Sequence, residues 1–298
     1  MKGLSIICRI TYRPGINRLA AFKVNHIYSQ NLNTMVEIKS KVNTVALEGF
    51  EKHVADYEAA RPTYFPAAVD RLLKEFDISP QARVLDLGAG TGKFTRALAE
   101  RNLCITAVEP VPSMRDILRK TLPEVEVKEG TAWEIPLGNE EVDAVFVAQA
   151  FHWFDDEQAL KEIRRVLKPG GGLGLIWNVE DRSISWVKKL RDYYQQFSIG
   201  VPQNFRNTWK QVFSSPEITE IFSPLQYAAY HTKIPYTPEN IIQGIRSRSY
   251  ISCLPQDKLE EVLRESRRII DEASDLEYNE DGKLLYPFQI DVYWCHRK

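Results

Sequence analysis

The run from Arg83 to Thr95, Arg-Val-Leu-Asp-Leu-Gly-Ala-Gly-Thr-Gly-Lys-Phe-Thr, constrains the fold more than any other part of this 298-residue chain. An apolar stretch suited to a buried strand enters a turn with glycines at alternate positions, Gly88, Gly90 and Gly92, and a helix start follows. Glycine tolerates positive φ and has no Cβ to hold a ligand away. Open α/β sheets bind cofactors in such turns, at the carboxyl ends of their parallel strands. Spacing then separates the possible ligands. A phosphate-binding P-loop places its first glycine five residues before the Gly-Lys pair and a hydroxyl after the lysine. Here those positions hold Leu87 and Phe94. A dinucleotide fingerprint, Gly-x-Gly-x-x-Gly, needs its third glycine at 93, which is Lys93. What remains is Asp86-x-Gly88-x-Gly90-x-Gly92, with an acid two residues before the first glycine.

The following residues read as an α/β alternation. Ile105–Val108 is a short apolar run ending in Glu109-Pro110, and Val125–Val127 is another. Val142–Val147 is almost continuously apolar, as central parallel strands are. Asp155-Asp156 can cap a helix from Glu157 to Lys168, whose apolar residues Ala159, Leu160, Ile163, Val166 and Leu167 recur at helical spacing. The run Lys168-Pro-Gly-Gly-Gly172 should break it before a fifth strand from Leu173 to Trp177.

The Asp-x-Gly-x-Gly-x-Gly run resembles motif I of the class I S-adenosylmethionine-dependent methyltransferases. With "AVEP", "AFHWF" and "EIRRVLKPGG…LGLIWN", the pattern is similar to the methyltransferase type 11 family, and within it to the small-molecule branch that includes aconitate-methyltransferase-like enzymes. The resemblance spans about residues 48–298 and is most specific from 83 to 178. It implies a three-layer Rossmann-like α/β fold with a mainly parallel seven-stranded sheet, a last strand inserted antiparallel between the fifth and sixth, and a helical C-terminal cap. It implies S-adenosyl-L-methionine as cofactor, a ligand with an ammonium, a carboxylate and a sulfonium but no phosphate.

Several cofactor contacts follow from the resemblance. Asp86 fixes the turn and can meet the ammonium; Gly88, Ala89, Gly90 and Gly92 line the ligand. Glu109, followed by Pro110, can accept both ribose hydroxyls, since an ionised carboxylate is acceptor-only. Met114 either covers the adenine or is a core methionine of a helix from Ser113 to Lys120. Thr131 and Ala132 occupy the adenine-edge position, where many relatives carry Asp at 131. Gln149 follows the fourth strand, facing the transferred methyl. Ahead of the core, Phe50–Tyr57 reads as helical, and Tyr57, Arg61 and Tyr64 match an element that lies over the cofactor in the family. Arg61 can pair with the methionyl carboxylate, while both tyrosines read equally as packing residues.

The acceptor side is less determined. Ser183–Phe197 reads as a helix with an aromatic face, Thr237-Pro238-Glu239 as a capped helix start, and Leu254 to about Ala273 as a further helix. Leu225–His231 is a strand candidate, and Phe288–Trp294 alternates as a strand with one buried face. The helices between would cap the acceptor. His152 is the one histidine placed to act as a base, or else a neutral histidine shaping its loop; Trp153 and Phe154 read as walls. On a continuous helix Arg246 and Tyr250 share a face while Arg248 points elsewhere; either arginine could hold an acidic acceptor or sit on a solvated face, and Arg246 with Tyr250 is the candidate pair. No Asn/Asp-Pro-Pro-Tyr loop follows the fourth strand, which argues against methylation of exocyclic base amines or of glutamine.

Composition narrows the rest. The net charge of −1 gives no global electrostatic case for nucleic acid. Cys8, Cys104, Cys253 and Cys295 are scattered, without metal-ligand spacing, as in a reduced intracellular protein; no metal is expected. No apolar run approaches the ~20 residues that cross a bilayer. Residues 1–44 form a basic extension ahead of a methyltransferase domain over 45–298, with a core at about 80–178 and the cap and last strands at about 181–298. No acid precedes Glu37, while Lys2, Arg9, Arg13, Arg18 and Lys23 do, a composition that resembles a mitochondrial transit peptide. The expected reading is a poorly ordered extension of a cytoplasmic protein, or sequence upstream of a second start at Met35, with the mitochondrial matrix as the alternative. The expected activity is methyl transfer to a small-molecule acceptor, at oxygen. The alternatives are methylation of RNA or protein, and a non-catalytic cofactor-binding module. Oligomeric state is open.

Overall fold

The computed structural model describes residues 61–198 and 200–298. The basic extension, the boundary at 44/45, the Phe50–Tyr57 helix and Tyr57 itself lie outside the described residues. From the first described element the chain runs through α1 (Pro66–Glu75), β1 (Arg83–Leu87), α2 (Lys93–Ala99), β2 (Cys104–Val108), α3 (Pro112–Thr121), β3 (Glu126–Lys128) and β4 (Val142–Ala148). It continues through α4 (Glu157–Val166), β5 (Leu167–Glu180), α5 (Ser185–Gln195), α6 (Pro216–Ile221) and β6 (Gln226–Tyr236). It ends with α7 (Pro238–Arg246), α8 (Ser249–Ser252), α9 (Gln256–Asp271) and β7 (Leu284–His296).

The strands form one sheet in the order β3-β2-β1-β4-β5-β7-β6. β1 to β5 are parallel, and β7 lies antiparallel between β5 and β6. This is the three-layer α/β arrangement that the sequence implies. One face packs α1, α2, α5, α7 and α9 through residues such as Leu72, Phe94, Leu190, Ile241 and Val262. The other packs α4 and α6 through Leu160, Ile163 and Ile218. β4 is buried on both sides, which is why its sequence is almost wholly apolar.

Three elements differ from the sequence reading. The α4 helix stops at Val166, and β5 starts at Leu167, so the glycine run lies inside a strand instead of ahead of it. The pairing of β4 with β5 shifts register between Val142 and Ala144 there. A Cβ on Gly172 would stand 2.1 Å from the Phe76 ring, so glycine at this point admits α1's terminal aromatic against the sheet. β6 continues past His231 to Tyr236, because β7 pairs with it along its whole length. In β7 the alternation holds through Val292; Tyr293 and Cys295 are then buried on the second face. Tyr293 meets Trp209 edge to face at 4.9 Å, so a residue from the segment after α5 covers what would otherwise be an exposed side.

Candidate active site

At the tip of β1 the glycine turn is built by backbone bonding to β2. The amides of Gly88 and Ala89 both donate to the Val108 carbonyl, at 2.8 and 3.1 Å. Gly88, Gly90 and Gly92 all adopt positive φ, +72°, +57° and +87°, where a side chain is strained. Asp86 is fully buried and accepts from Thr95 Oγ1 at 2.6 Å through one oxygen. Its other oxygen, Oδ1, is buried with no hydrogen-bond partner. Burial, reinforced by the negative charge of Glu109 and offset in part by the Thr95 bond, pushes its carboxyl up to about 7.

Glu109, at the tip of β2, accepts from the Gly90 amide at 2.8 Å and the Val111 amide at 2.9 Å. It therefore ties the glycine turn to the next loop as well as facing it. Burial raises its pKa, against those two bonds. The Pro110 carbonyl accepts from Arg115 at 2.7 Å, which fixes the loop from the other side. Met114 is buried in α3, and its sulfur lies 3.8 Å from where a Cβ on Gly90 would stand. Ala132 is buried, and Thr131 pairs backbone to backbone with Glu134 while its hydroxyl has no hydrogen-bond partner. Three features thus converge: an acceptor oxygen without a donor, a hydroxyl without a partner, and a turn kept open by missing side chains. A ligand with an ammonium and an adenosyl group fits this set.

Beyond the turn lies a cavity of about 110 Å³, lined from both the sheet and the cap. Since about 10–15 Å³ admits one water, it has room for something on the order of ten non-hydrogen atoms. Arg61, Tyr64, Lys93, Gln149, His152, Trp153, Asn178, Glu180, Arg248 and Tyr250 contribute to its wall. Gln149 sits at φ +60°, unusual for a residue with a side chain, and donates from Nε2 to the Asn178 carbonyl at 3.0 Å. That bond links the ends of β4 and β5 at the mouth of the cavity.

His152 lies in a single helical turn, Phe151–Trp153, with its ring 5.2 Å from that of Trp153. It is buried, its Nδ1 has no hydrogen-bond partner, and burial drops its pKa to about 3. The imidazole is neutral throughout the physiological range and accepts a proton poorly. Arg61 donates from Nε to Ser247 Oγ at 3.2 Å, joining the segment before α1 to the cap.

The cap corrects one expectation. Residues 246–250 are not one helix. Ser247 Oγ donates to the Gly244 carbonyl at 2.9 Å and closes α7, and Arg248 has extended backbone, φ −76° and ψ 131°. The break turns the assignment round: Arg248 lines the cavity together with Tyr250, and Arg246 does not. Sequence reasoning also missed Glu180, which bonds Arg191 and Arg248 in an ion cluster at the tip of β5. Burial raises the Glu180 carboxyl, but the charges of Arg248 and Arg191 outweigh it and hold it at about 2. A carboxylate directly after an apolar strand, at the carboxyl edge of the sheet, was the signal available for Glu180.

Comparison with known proteins agrees with this geometry. Residues 85–175 match a family described as the methyltransferase domain. An uncharacterised methyltransferase-like protein of Schizosaccharomyces pombe is 39% identical over 243 residues, covering 81% of this chain and 93% of its own length. An uncharacterised methyltransferase of Mycobacterium bovis is 40% identical over 221 residues, 74% of this chain and 85% of the other. A malonyl-[acyl-carrier protein] O-methyltransferase of Serratia marcescens is 31% identical over 139 residues, covering 46% of this chain and 54% of that protein. Among solved structures, the YcgJ protein of Bacillus subtilis superposes with a TM-score of 0.52 at 18% identity, covering 78% of this chain and 99% of the other, which supports the fold. With its glycine turn, its acid at the tip of β2 and relatives matched over nearly their whole length, this chain belongs to the class I S-adenosylmethionine-dependent methyltransferases of the type 11 family.

Proposed function

We propose that this methyltransferase acts on a small molecule and methylates it at oxygen. The observation that carries the reading is the cavity itself, small and roofed by α7 and α8, at the carboxyl ends of β4 and β5. A macromolecular acceptor needs an open surface beside the donor, and a room for roughly ten atoms favours a metabolite. By its name, the Serratia marcescens relative is an O-methyltransferase, which supports oxygen as the acceptor atom.

When bound, the donor supplies an electrophilic methyl on a sulfonium. The chain's own part is to hold and align. Asp86 Oδ1 takes the ammonium, and Gly88, Ala89, Gly90 and Gly92 admit the ligand backbone. Glu109 and Pro110 flank the ribose, Met114, Thr131 and Ala132 flank the adenine, and Gln149 marks the passage to the acceptor. Arg61 belongs to the cover over both ligands. On the acceptor side Trp153 and Tyr250 are walls. Alignment in favourable intramolecular cases contributes up to about 7–11 kcal/mol, and closing out water adds to it. A neutral His152 suits an acceptor that has no proton to lose, because an ionised oxygen can attack the methyl without a base.

The test is direct. Isothermal titration of the full chain should show binding of S-adenosylmethionine and its demethylated product, and a metabolite extract incubated with labelled donor should yield a small labelled product that is stable as an ether or hydrolysed as an ester. Label appearing only in RNA or protein would sink the small-molecule reading. Binding without any transfer would favour the non-catalytic module.

A further inference from the structure

At the donor end, one arginine stands where the fold calls for an apolar residue. Val111, Met114, Arg115 and Leu118 recur at the spacing of a helix's buried stripe, and all four are buried where α3 packs under the loop after β2. Withdrawing a guanidinium from water is costly unless its charge and its donors are met. The acid that Arg115 meets does not account for its burial: Nη2 bonds Glu129 Oε2 at 2.9 Å, but Glu129 is 65% exposed, and a pair with one arm in water contributes little. The other bonds go to the backbone. Nη1 donates to the carbonyl of Glu109 at 2.8 Å and to that of Pro110 at 2.7 Å.

Those two carbonyls belong to the loop that carries the Glu109 carboxylate. The Glu109 amide is already tied to the Lys128 carbonyl at 3.2 Å, so Arg115 holds the side of the loop that the sheet leaves free. An ionised carboxylate offers about four lone-pair positions. The Val111 amide occupies one on Oε1 and the Gly90 amide one on Oε2. One acceptor position is left on each oxygen, and a ribose presents two neighbouring hydroxyls. Where those positions point depends on the backbone of 109 and 110. Burial raises the Glu109 carboxyl; the two amide bonds and then the Arg115 charge act against it, toward the ionised, acceptor-only form.

Resting on the assignment of Glu109 to the ribose, we propose that Arg115 is a positioning residue for donor recognition: it fixes the Glu109–Pro110 backbone so that the two open acceptor positions of Glu109 meet the two ribose hydroxyls. The guanidinium reaches both carbonyls and Glu129 together because its donors form a planar fork, which a lysine cannot reproduce.

A cycle of two ligands and two proteins tests this by calorimetry on the full chain. The ligands are S-adenosylhomocysteine and its 2′,3′-dideoxy analogue, which lacks both hydroxyls. The wild type should prefer the ribose form by at least about tenfold, since each hydroxyl bonds a charged acceptor. Arg115→Met should weaken the ribose form by at least about tenfold and the dideoxy form by no more than about threefold, so the preference collapses. Binding of the dideoxy form is thereby the control for folding. Arg115→Lys, which keeps the charge and loses the fork, should fall between the two, and a reduction of at least about threefold in its preference upholds the proposal even if the methionine variant does not fold. Equal weakening of both ligands would make Arg115 a stability residue and overturn its positioning role, as would an unchanged preference in the lysine variant. A wild type that binds both ligands alike would remove the assignment of Glu109 to the ribose, and the role of Arg115 with it.

Discussion

The donor end and the acceptor end of this molecule are assembled by different means. The glycine turn is built from nearby sequence and from backbone: Asp86 meets Thr95 nine residues on, and Glu109 reaches the Gly90 amide across 19. The acceptor cavity is built from side chains across the chain. Arg248 finds Glu180 over a separation of 68 residues, and Arg61 finds Ser247 over 186. A site made of turns and strand tips tolerates few sequences but is written in one place. A site made of side chains on cap helices can change with the acceptor while the sheet beneath stays the same.

The sharpest way to break the comparison is to disturb the acceptor end alone. Glu180→Ala leaves Arg191 and Arg248 buried and unpaired, and removing one partner of a buried ion cluster costs about 3–5 kcal/mol. Urea unfolding should report that loss, while titration of folded protein with the demethylated product should give the wild-type affinity. A stability change below about 1 kcal/mol would place this cluster among ordinary surface ion pairs.

The reciprocal change disturbs the donor end alone. Gly92 sits at φ +87°, and a Cβ there would stand 2.9 Å from Leu118 Cγ. A β-branched residue is strained at this φ and also pushes α3 away from the turn. Gly92→Val should weaken binding of the demethylated product by about 100-fold, or about 2.7 kcal/mol, with the acceptor end left as in the wild type. Equal affinity in the variant would mean that the turn does not shape the donor site.

A gentler probe uses pH. In the folded protein the Asp86 carboxyl is raised to about 7 from a usual 3.8, chiefly by burial. The fold therefore binds more protons than the unfolded chain between those values, so stability declines as pH rises through that window and levels off above about 7. A cationic ligand on Asp86 favours the ionised form. Affinity for S-adenosylmethionine should then climb on the order of tenfold from pH 6 to pH 8, with protons released on binding, as read by calorimetry in two buffers of different ionisation enthalpy. Asp86→Asn should abolish both the climb and the release. A pH-independent affinity in the wild type would separate Asp86 from the ammonium.

What the sequence disclosed follows the same division. The antiparallel β7 was expected from the family resemblance, whereas the positions of Asp86, the three glycines and Glu109 were legible in the residues themselves, at the ends of neighbouring short apolar strands. The Thr237 cap was legible too, and the structure closes it with Asn240 as a capping box. The shared face of Arg246 and Tyr250 does not form, since helical periodicity carries no record of Ser247 folding back on Gly244 and leaving Arg248 in the cavity wall. Glu180 and Arg191 could not be paired in advance, because their partnership exists only when α5 lies across the end of β5. The start of β5 was misplaced for a similar reason: Gly172, in a run that looks like a helix breaker, is the residue whose missing Cβ admits Phe76 at the end of α1.

His152 tests the boundary between the two ends with the smallest expected effect. It follows β4 in sequence, lines the acceptor cavity and has no carboxylate partner among the described residues. Burial lowers its pKa to about 3, so it stays uncharged well below neutrality. A general base contributes about 10²–10⁴-fold to a rate, whereas a neutral wall contributes shape and at most a hydrogen bond. His152→Asn keeps a polar side chain of similar reach. With a metabolite extract as the source of acceptor, the transfer rate at saturating donor should change by no more than about threefold, equivalent to roughly 0.6 kcal/mol, and the pH profile should show no step owed to residue 152. A loss of about a hundredfold or more, with the donor-side affinity intact, would restore His152 as the base. It would then point to an acceptor that carries a proton, a hydroxyl in place of an already ionised oxygen, and would make proton removal part of what this cavity does.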